Sequence, residues 1–275
     1  MIEFEPISND QDLIDHDCNY YSNEDFNSKF CSKPQNINTA SDNFSLLHIN
    51  ARSLNKNFDS IELFLKTINQ FPFSVIGITE TWLNSNSPQL FHLQNYELIR
   101  ADRAHGKGGG VGIYVHDQLK FKRRHDLHID GTEDLFIEIT NNKDRNIIIG
   151  TIYRPPNNGI DLFLHNFDEG LNRISQENKY IYLMGDYNID LLTSIQPNNS
   201  RFINILQSNT LFPHINKPTR ICNTSQTLID NIFSNVYCNS VNGIFYSDIS
   251  DHLSIFVISN QSNNLAPYLM HKKNT

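Results

Sequence analysis

Residues 180–190 read YIYLMGDYNID. A short apolar run, Tyr180–Met184, breaks on Gly185 and is followed at once by Asp186 and Asn188. A run of that length, bounded by a turn residue, reads as a strand. The acid and the amide then fall where a rigid element gives way to an exposed loop, a position that suits catalytic groups. The same juxtaposition recurs along the chain. Asn50 closes FSLLHIN (Phe44–Asn50), Glu80 follows FSVIGIT (Phe73–Thr79), and Tyr153 and Arg154 follow NIIIGTI (Asn146–Ile152). Asp230 lies inside TLIDNIF (Thr227–Phe233), and Asp251 and His252 stand just before LSIFVIS (Leu253–Ser259). Taken singly, a carboxylate after a strand is most often a turn or helix cap. Six such places in one chain point to a shared site.

Between these runs the pattern alternates. Strands are expected at Tyr96–Arg100, Val111–Val115, Leu119–Arg123, Leu135–Ile139, Asn146–Tyr153, Leu228–Phe233 and Leu253–Ile258. Apolar residues at helical spacing predict helices over Phe58–Ile68 and Ile160–Ile174, with a short third at Ser200–Gln207. Many strands with a few interleaved helices imply two packed sheets flanked by helices. The glycine run Gly106–Gly112 reads as a flexible hairpin or loop, with Arg100, Arg103 and Lys107 placed to touch a DNA backbone. Lys120, Lys122, Arg123 and Arg124 read as a solvated strand face, with phosphate contact as the alternative.

The 275 residues carry 22 Lys+Arg against 30 Asp+Glu, a formal net charge of −8. At face value this argues against a nucleic-acid binder. The average hides a split. Residues 1–43 hold nine acids and two lysines, a net −7, and leave the remaining 232 residues at 20 bases to 21 acids. That first segment is polar and is expected to be disordered. Residues 44–259 form the body, and residues 260–275 a polar tail. Removing residues 1–43 is expected to strengthen DNA binding at low salt or leave it unchanged.

Other classes fall away. No apolar run approaches the roughly 20 residues of a membrane helix, and the start shows no basic-then-apolar leader. Cys18, Cys31, Cys222 and Cys238 lack CxxC spacing, which argues against a zinc site or a disulfide framework. An intracellular protein without a membrane partner is expected. Gly106–Gly110 lacks the order of a P-loop, no nucleophile elbow is present, and no organic cofactor is expected. Asp, Glu and Asn oxygens are hard ligands suited to Mg²⁺, Tyr and Arg bind phosphate oxygens, and a His–Asp pair does acid–base work. The residues therefore point to a metal-dependent hydrolase acting on a phosphate ester.

HINARSL (His48–Leu54), GITETWL (Gly77–Leu83), TIYRPP (Thr151–Pro156), LMGDYNID, TLIDNIF and SDHLSIF (Ser250–Phe256) occur in the order found in the endonuclease/exonuclease/phosphatase superfamily. The chain most resembles the apurinic-endonuclease-like domain of non-LTR (LINE-type) retrotransposons, through NARSL and LIRADRAHGKGGGVGIYV (Leu98–Val115). The resemblance implies an α+β fold of the deoxyribonuclease-I-like type, a four-layer α/β/β/α sandwich with two mainly antiparallel sheets. It implies Glu80 as the main Mg²⁺ ligand, with Mn²⁺ as the alternative ion, Asn50 nearby and Asp251 supporting. Asp186 would orient or deprotonate water, Asn188 would hold that geometry, and His252, tuned by Asp230, would contact the scissile phosphate. Tyr153 would donate to the same phosphate. Some repair enzymes carry Asp two positions after the first-motif Asn; Arg52 stands there in this chain and is not assigned to the metal.

The implied activity is nicking of double-stranded DNA to leave a 3′-hydroxyl, in the nucleus, with a reverse transcriptase of the same element extending that end. The body ends near Ser259, so an endonuclease-only product, a truncated copy or a derived gene is expected. A superfamily phosphatase acting on a phosphoinositide or nucleotide, and a non-catalytic nucleic-acid-binding remnant, are the alternatives.

Overall fold

The computed structural model describes residues 18–31, 44–87, 91–104, 106–141, 144–156, 159–193, 196–236 and 240–259. The first elements are β1 (Asn19–Tyr21), α1 (Asn23–Phe30), β2 (Phe44–Asn50), α2 (Leu54–Thr67) and β3 (Val75–Thr79). Then come β4 (Tyr96–Ala101), β5 (Val111–His116), β6 (Phe121–Arg123), β7 (Glu133–Ile139) and β8 (Ile147–Tyr153). The rest are α3 (Ile160–Ser175), β9 (Tyr180–Asp186), α4 (Pro197–Ser208), β10 (Phe212–Pro213), β11 (Arg220–Cys222), β12 (Ser225–Thr227), β13 (Asp230–Ser234), β14 (Ser240–Phe245) and β15 (Ser254–Ser259).

The strands form one sheet ordered β1-β14-β15-β2-β3-β5-β4, a second ordered β10-β13-β9-β8-β7-β6, and a small hairpin, β11-β12. Most neighbours are antiparallel; β1/β14, β2/β3 and β8/β9 are parallel. Side chains alternate across each strand, and both faces are covered. Leu46, Val75 and Ile113 of the first sheet meet Ile149, Met184 and Ile232 of the second in a central core. Leu47, Ile49 and Ile78 pack outward with residues of α1 and α2. Ile148, Leu183 and Phe233 pack outward with residues of α3 and α4. This is the helix–sheet–sheet–helix sandwich that the sequence led us to expect. Cys18, Cys31 and Cys222 are free thiols.

The acidic first segment departs from expectation. Cys18–Cys31 is ordered into β1 and α1. The helix opens on a reciprocal capping box between Ser22 and Asp25. Its Phe26 is fully buried, with ring centroids 4.8 Å from Phe245, 5.1 Å from Phe71 and 5.2 Å from Phe256. An apolar staple embedded in polar sequence is why a composition average misread this piece. Removing residues 1–43 would strip that staple from the core, so the binding test by truncation does not apply to residues 18–31. Residues 1–17, 32–43 and 260–275 lie outside the described residues.

Candidate active site

The alternation that fills the central core also builds the site. In β9, Tyr182 and Met184 face the other sheet, and Asp186 is the next residue of that parity. Asn50 follows Leu46 and His48 in β2, Tyr153 follows Ile149 and Thr151 in β8, and Asp230 precedes Ile232 in β13. Register aligns them further: Asp186 is paired with Tyr153 across β8/β9 and with Asp230 across β9/β13. Inward-facing polar groups thus collect at one end of the gap between the sheets. Gly185 permits the close β8/β9 approach, since a Cβ there would lie 1.8 Å from the Ile152 carbonyl oxygen.

Glu80, Asp186 and His252 offer ligand atoms that lie within 4.8 Å of one another. Asn50 Nδ2 donates to Glu80 Oε1 and to Asp186 Oδ2, both at 2.9 Å. The Asn188 backbone N–H donates to Asp186 Oδ1 at 3.0 Å, while the Asn188 side chain donates to the Arg154 carbonyl at 2.9 Å. Asn188 therefore holds the loop, and Arg154 holds it from beneath through the carbonyls of Tyr187 (2.7 Å) and Asn188 (2.8 Å). His252 Nδ1 lies 2.8 Å from Asp230 Oδ2, which also accepts from Thr219 Oγ1 at 2.8 Å.

The electrostatics separate these carboxyls. Burial, then the charges of Asp230 and Glu80, push the Asp186 carboxyl well above the usual range. Burial also acts to raise Asp230, but the attraction and hydrogen bond of His252 outweigh it and hold Asp230 ionised. Burial acts to lower His252, and Asp230, followed by Asp186 and Asp251, overcomes it and raises the imidazole to about 9. Burial, then Glu80 and Asp186, push the Tyr153 phenol up, so it stays a neutral donor.

The backbone is strained here. Of the non-glycine residues with positive φ, Arg52 (42°), Ser53 (94°), Glu80 (53°), Trp82 (55°) and Asn188 (49°) border this one site. Side chains other than Asn disfavour that region, and such strain clusters at functional sites. Neighbouring loops hold it. Ser53 N–H donates to the Glu80 carbonyl at 2.9 Å, and Trp82 N–H to the Gly109 carbonyl at 2.8 Å. The glycine run is thus a brace for the Glu80 loop: Gly110 sits at φ +80°, where a Cβ would meet Thr81 Oγ1 at 2.5 Å.

Two groups stand differently from expectation. Asp251 is gripped by Arg52 at 2.6 Å and by Arg220 at 2.7 and 2.9 Å, and does not belong to the convergent set. Arg103 and Arg124 are occupied by acids. Arg103 pairs with Glu133 at 2.5 Å, and Arg124 with Asp126 and Glu138, each at 2.6 Å. Sequence reasoning missed Trp82, whose indole N–H donates to Glu80 Oε2 at 3.0 Å, and Thr219, which anchors Asp230. The ETW triplet was a signal for the first; an isolated threonine gives none.

The donor set fits a divalent cation. Two carboxylates converge, one of them with its proton affinity raised by burial and then by neighbouring negative charge, and their oxygens are hard ligands. The sequence profile of the endonuclease/exonuclease/phosphatase family matches residues 36–252. The chain belongs to that family. Its members are metal-dependent phosphodiester hydrolases. Among solved structures similar to this family member is the endonuclease domain of TRAS1, a telomere-specific non-LTR retrotransposon: TM-score 0.61, 13% identity, covering 80% of this chain and 100% of that one. An AP endonuclease, LMAP, from Leishmania major gives 0.62 at 14% identity, with 80% and 88% covered. The 3′ phosphatase NExo from Neisseria, bound to a product DNA hairpin, gives 0.57 at 13%, with 78% and 98% covered. A search of curated proteins gave no match. At these identities the solved structures establish a shared fold. Among the described residues, no helix is long and apolar enough to cross a membrane.

Proposed function

We propose that this chain is a Mg²⁺-dependent endonuclease that nicks double-stranded DNA and leaves a 3′-hydroxyl. The observation that carries the reading is the convergence of Glu80, Asp186 and His252 at one sheet edge, with His252 locked to Asp230. Glu80 would hold the cation, with Asn50 beside it; Asp251 would reach it only by releasing an arginine. A bound cation supplies Lewis-acid stabilisation of charge on the phosphate oxygens. Asp186 takes the proton of the attacking water as the new O–P bond forms, and its raised proton affinity suits that task. Asn188 keeps the Asp186 loop in place. Protonated His252 and the Tyr153 hydroxyl donate to the phosphate oxygens as negative charge builds on them. The P–O3′ bond breaks in line, the leaving 3′ oxygen takes a proton from solvent water and ends as a hydroxyl, and the phosphate stays on the 5′ side. In a mobile element, a nuclear reverse transcriptase would extend that hydroxyl.

The test is nicking of supercoiled plasmid by wild-type protein and by Asp186→Ala, with Mg²⁺, with Mn²⁺ and with chelator. Metal-dependent nicking lost in the variant is the expected result. Intact plasmid with phosphate release from nucleotide or phosphoinositide monoesters would replace this reading with a phosphatase. DNA binding indifferent to Asp186→Ala and to chelation, without turnover, would replace it with a binding remnant.

A further inference from the structure

Asp251 stands at the mouth of the site between two guanidinium groups. Arg52 Nη1 is 2.6 Å from Oδ1, and Arg220 reaches Oδ2 with Nη2 at 2.7 Å and Nε at 2.9 Å. Both arginine side chains are open to solvent, 46% and 42% exposed. Ion pairs this exposed contribute little to stability, so stability does not account for the arrangement.

The backbone places both arginines against the catalytic cluster. Arg52 lies two residues past Asn50 at φ 42°, where its N–H donates to Asn50 Oδ1 at 3.1 Å. A non-glycine residue is held in that region only where its surroundings insist on it. Arg220 is bridged directly to His252 in antiparallel fashion. Each guanidinium carries five N–H donors. Asp251 accepts from Arg220 Nε and lies in ion-pair contact with Nη1 of Arg52 and Nη2 of Arg220, which leaves further N–H donors on both guanidinium groups. The trio has a net charge of +1, with unused donors facing solvent beside His252. Planar forks of this kind match the paired oxygens of a phosphodiester.

We infer that Arg52 and Arg220, gathered by Asp251, bind a phosphate of the nucleic-acid strand next to the one being cut. This rests on the endonuclease reading and deepens it: the substrate is a polynucleotide with a neighbouring phosphate, and an isolated phosphate ester lacks half of the recognition. Asp251 sets the spacing of the two arginines.

The experiment compares wild-type protein with the double variant Arg52→Gln, Arg220→Gln. Affinity for a duplex oligonucleotide is measured in Ca²⁺ across a salt series, and kcat/KM is measured on an oligonucleotide and on bis(p-nitrophenyl) phosphate, a diester with a single phosphate. The expected result is a fall of about tenfold in low-salt affinity, with a salt slope shallower by about 1. The ratio of oligonucleotide to bis(p-nitrophenyl) phosphate turnover falls by about tenfold with it. An unchanged slope, or an equal loss on both substrates, overturns the inference. The pair Arg52→Lys, Arg220→Lys keeps the charge and the contacts to Asp251 but loses the fork. It should keep the slope and bind more weakly, and wild-type affinity in this pair overturns the inference even where the glutamine variant does not fold. Wild-type protein that cuts neither substrate refutes the endonuclease reading itself, a different result from wild-type cutting with arginines that do not matter.

Discussion

Strand β9 has a charge cluster at each end, and the two are built on opposite principles. Beside Lys179, which precedes the strand, Lys122, Arg124 and Lys179 face Asp126, Glu138 and Glu177, three bases to three acids. Glu138 is buried, yet hydrogen bonds from Asn146, Lys179, Arg124 and Lys122 outweigh that burial and hold its carboxyl at about 2. Burial likewise acts against Lys179, and Glu177 and Glu138 raise it regardless. Every member sits against an oppositely charged partner. At the far end, Glu80 and Asp186 converge on His252, which is held by Asp230, and burial and then the charge of Asp230 leave Asp186 with its proton affinity raised. Balanced charge fixes a fold; unbalanced charge, gathered by strand register and held by strained loops, waits for a cation and a phosphate.

The largest effect should separate the two ends by kind. Asp186→Asn should cut metal-dependent nicking by roughly a thousandfold or more, as loss of a group acting in the transition state does. Its melting temperature without divalent ion should match or exceed that of wild type, because a buried carboxylate is removed. Glu138→Gln should do the reverse. Breaking the balanced network should cost about 3 kcal/mol in denaturant unfolding, while turnover per folded molecule stays at the wild-type level. A destabilised Asp186→Asn together with a neutral Glu138→Gln would erase the distinction.

Cation binding sharpens the same contrast. Mg²⁺ at about a hundred times its dissociation constant should stabilise wild-type protein by about 2.7 kcal/mol in calorimetry and leave Glu80→Gln unmoved. The pH profiles should bend at opposite ends. Raised to about 9 in the fold from 6.5, the His252 contribution is full below about pH 6.5 and is lost as pH rises through 9. Glu138, lowered to about 2 from 4.5, contributes above about pH 4.5 and loses that contribution as pH falls toward 2. Melting curves of His252→Gln should flatten the alkaline limb alone, and those of Glu138→Gln the acid limb alone. The smallest effect is at Trp82, the one tryptophan in the chain. Trp82→Phe removes the indole donor to Glu80 and should weaken cation affinity by about tenfold. In wild-type protein the same indole should report Mg²⁺ binding by its fluorescence.

The strands that carry the polar ends were legible because β2, β3, β8, β9, β13 and β15 bury both faces, so each reads as an apolar run beside a polar residue. β2 runs from Phe44 to Asn50 as expected, and β9 extends the expected run by two residues to Asp186. β14 escaped notice because Asn242 and Gly243, both poor strand formers, interrupt the apolar residues of SVNGIF. The Oδ1 of its buried Asn242 lies 3.1 Å from His214 Nδ1, and at Gly243 a Cβ would strike the Phe256 ring at 2.5 Å. The roles of Asp251 and Arg103 were not legible for a different reason. Which partner a charge finds depends on contacts between distant segments, such as Arg103 with Glu133, that spacing along the chain does not encode.

Strand β2, near the start of the body, lies between β3 and β15, the last strand, and the Ser250 hydroxyl donates to the Asn50 carbonyl at 2.7 Å across 200 residues of sequence. The first and last motifs therefore complete each other. A nascent chain still short of residue 252 lacks the imidazole, and one short of Ser254 also lacks the strand that seats Asn50. On a ribosome the site cannot assemble until the segment from His252 through β15 has been made, so a product that stops short of it lacks that edge.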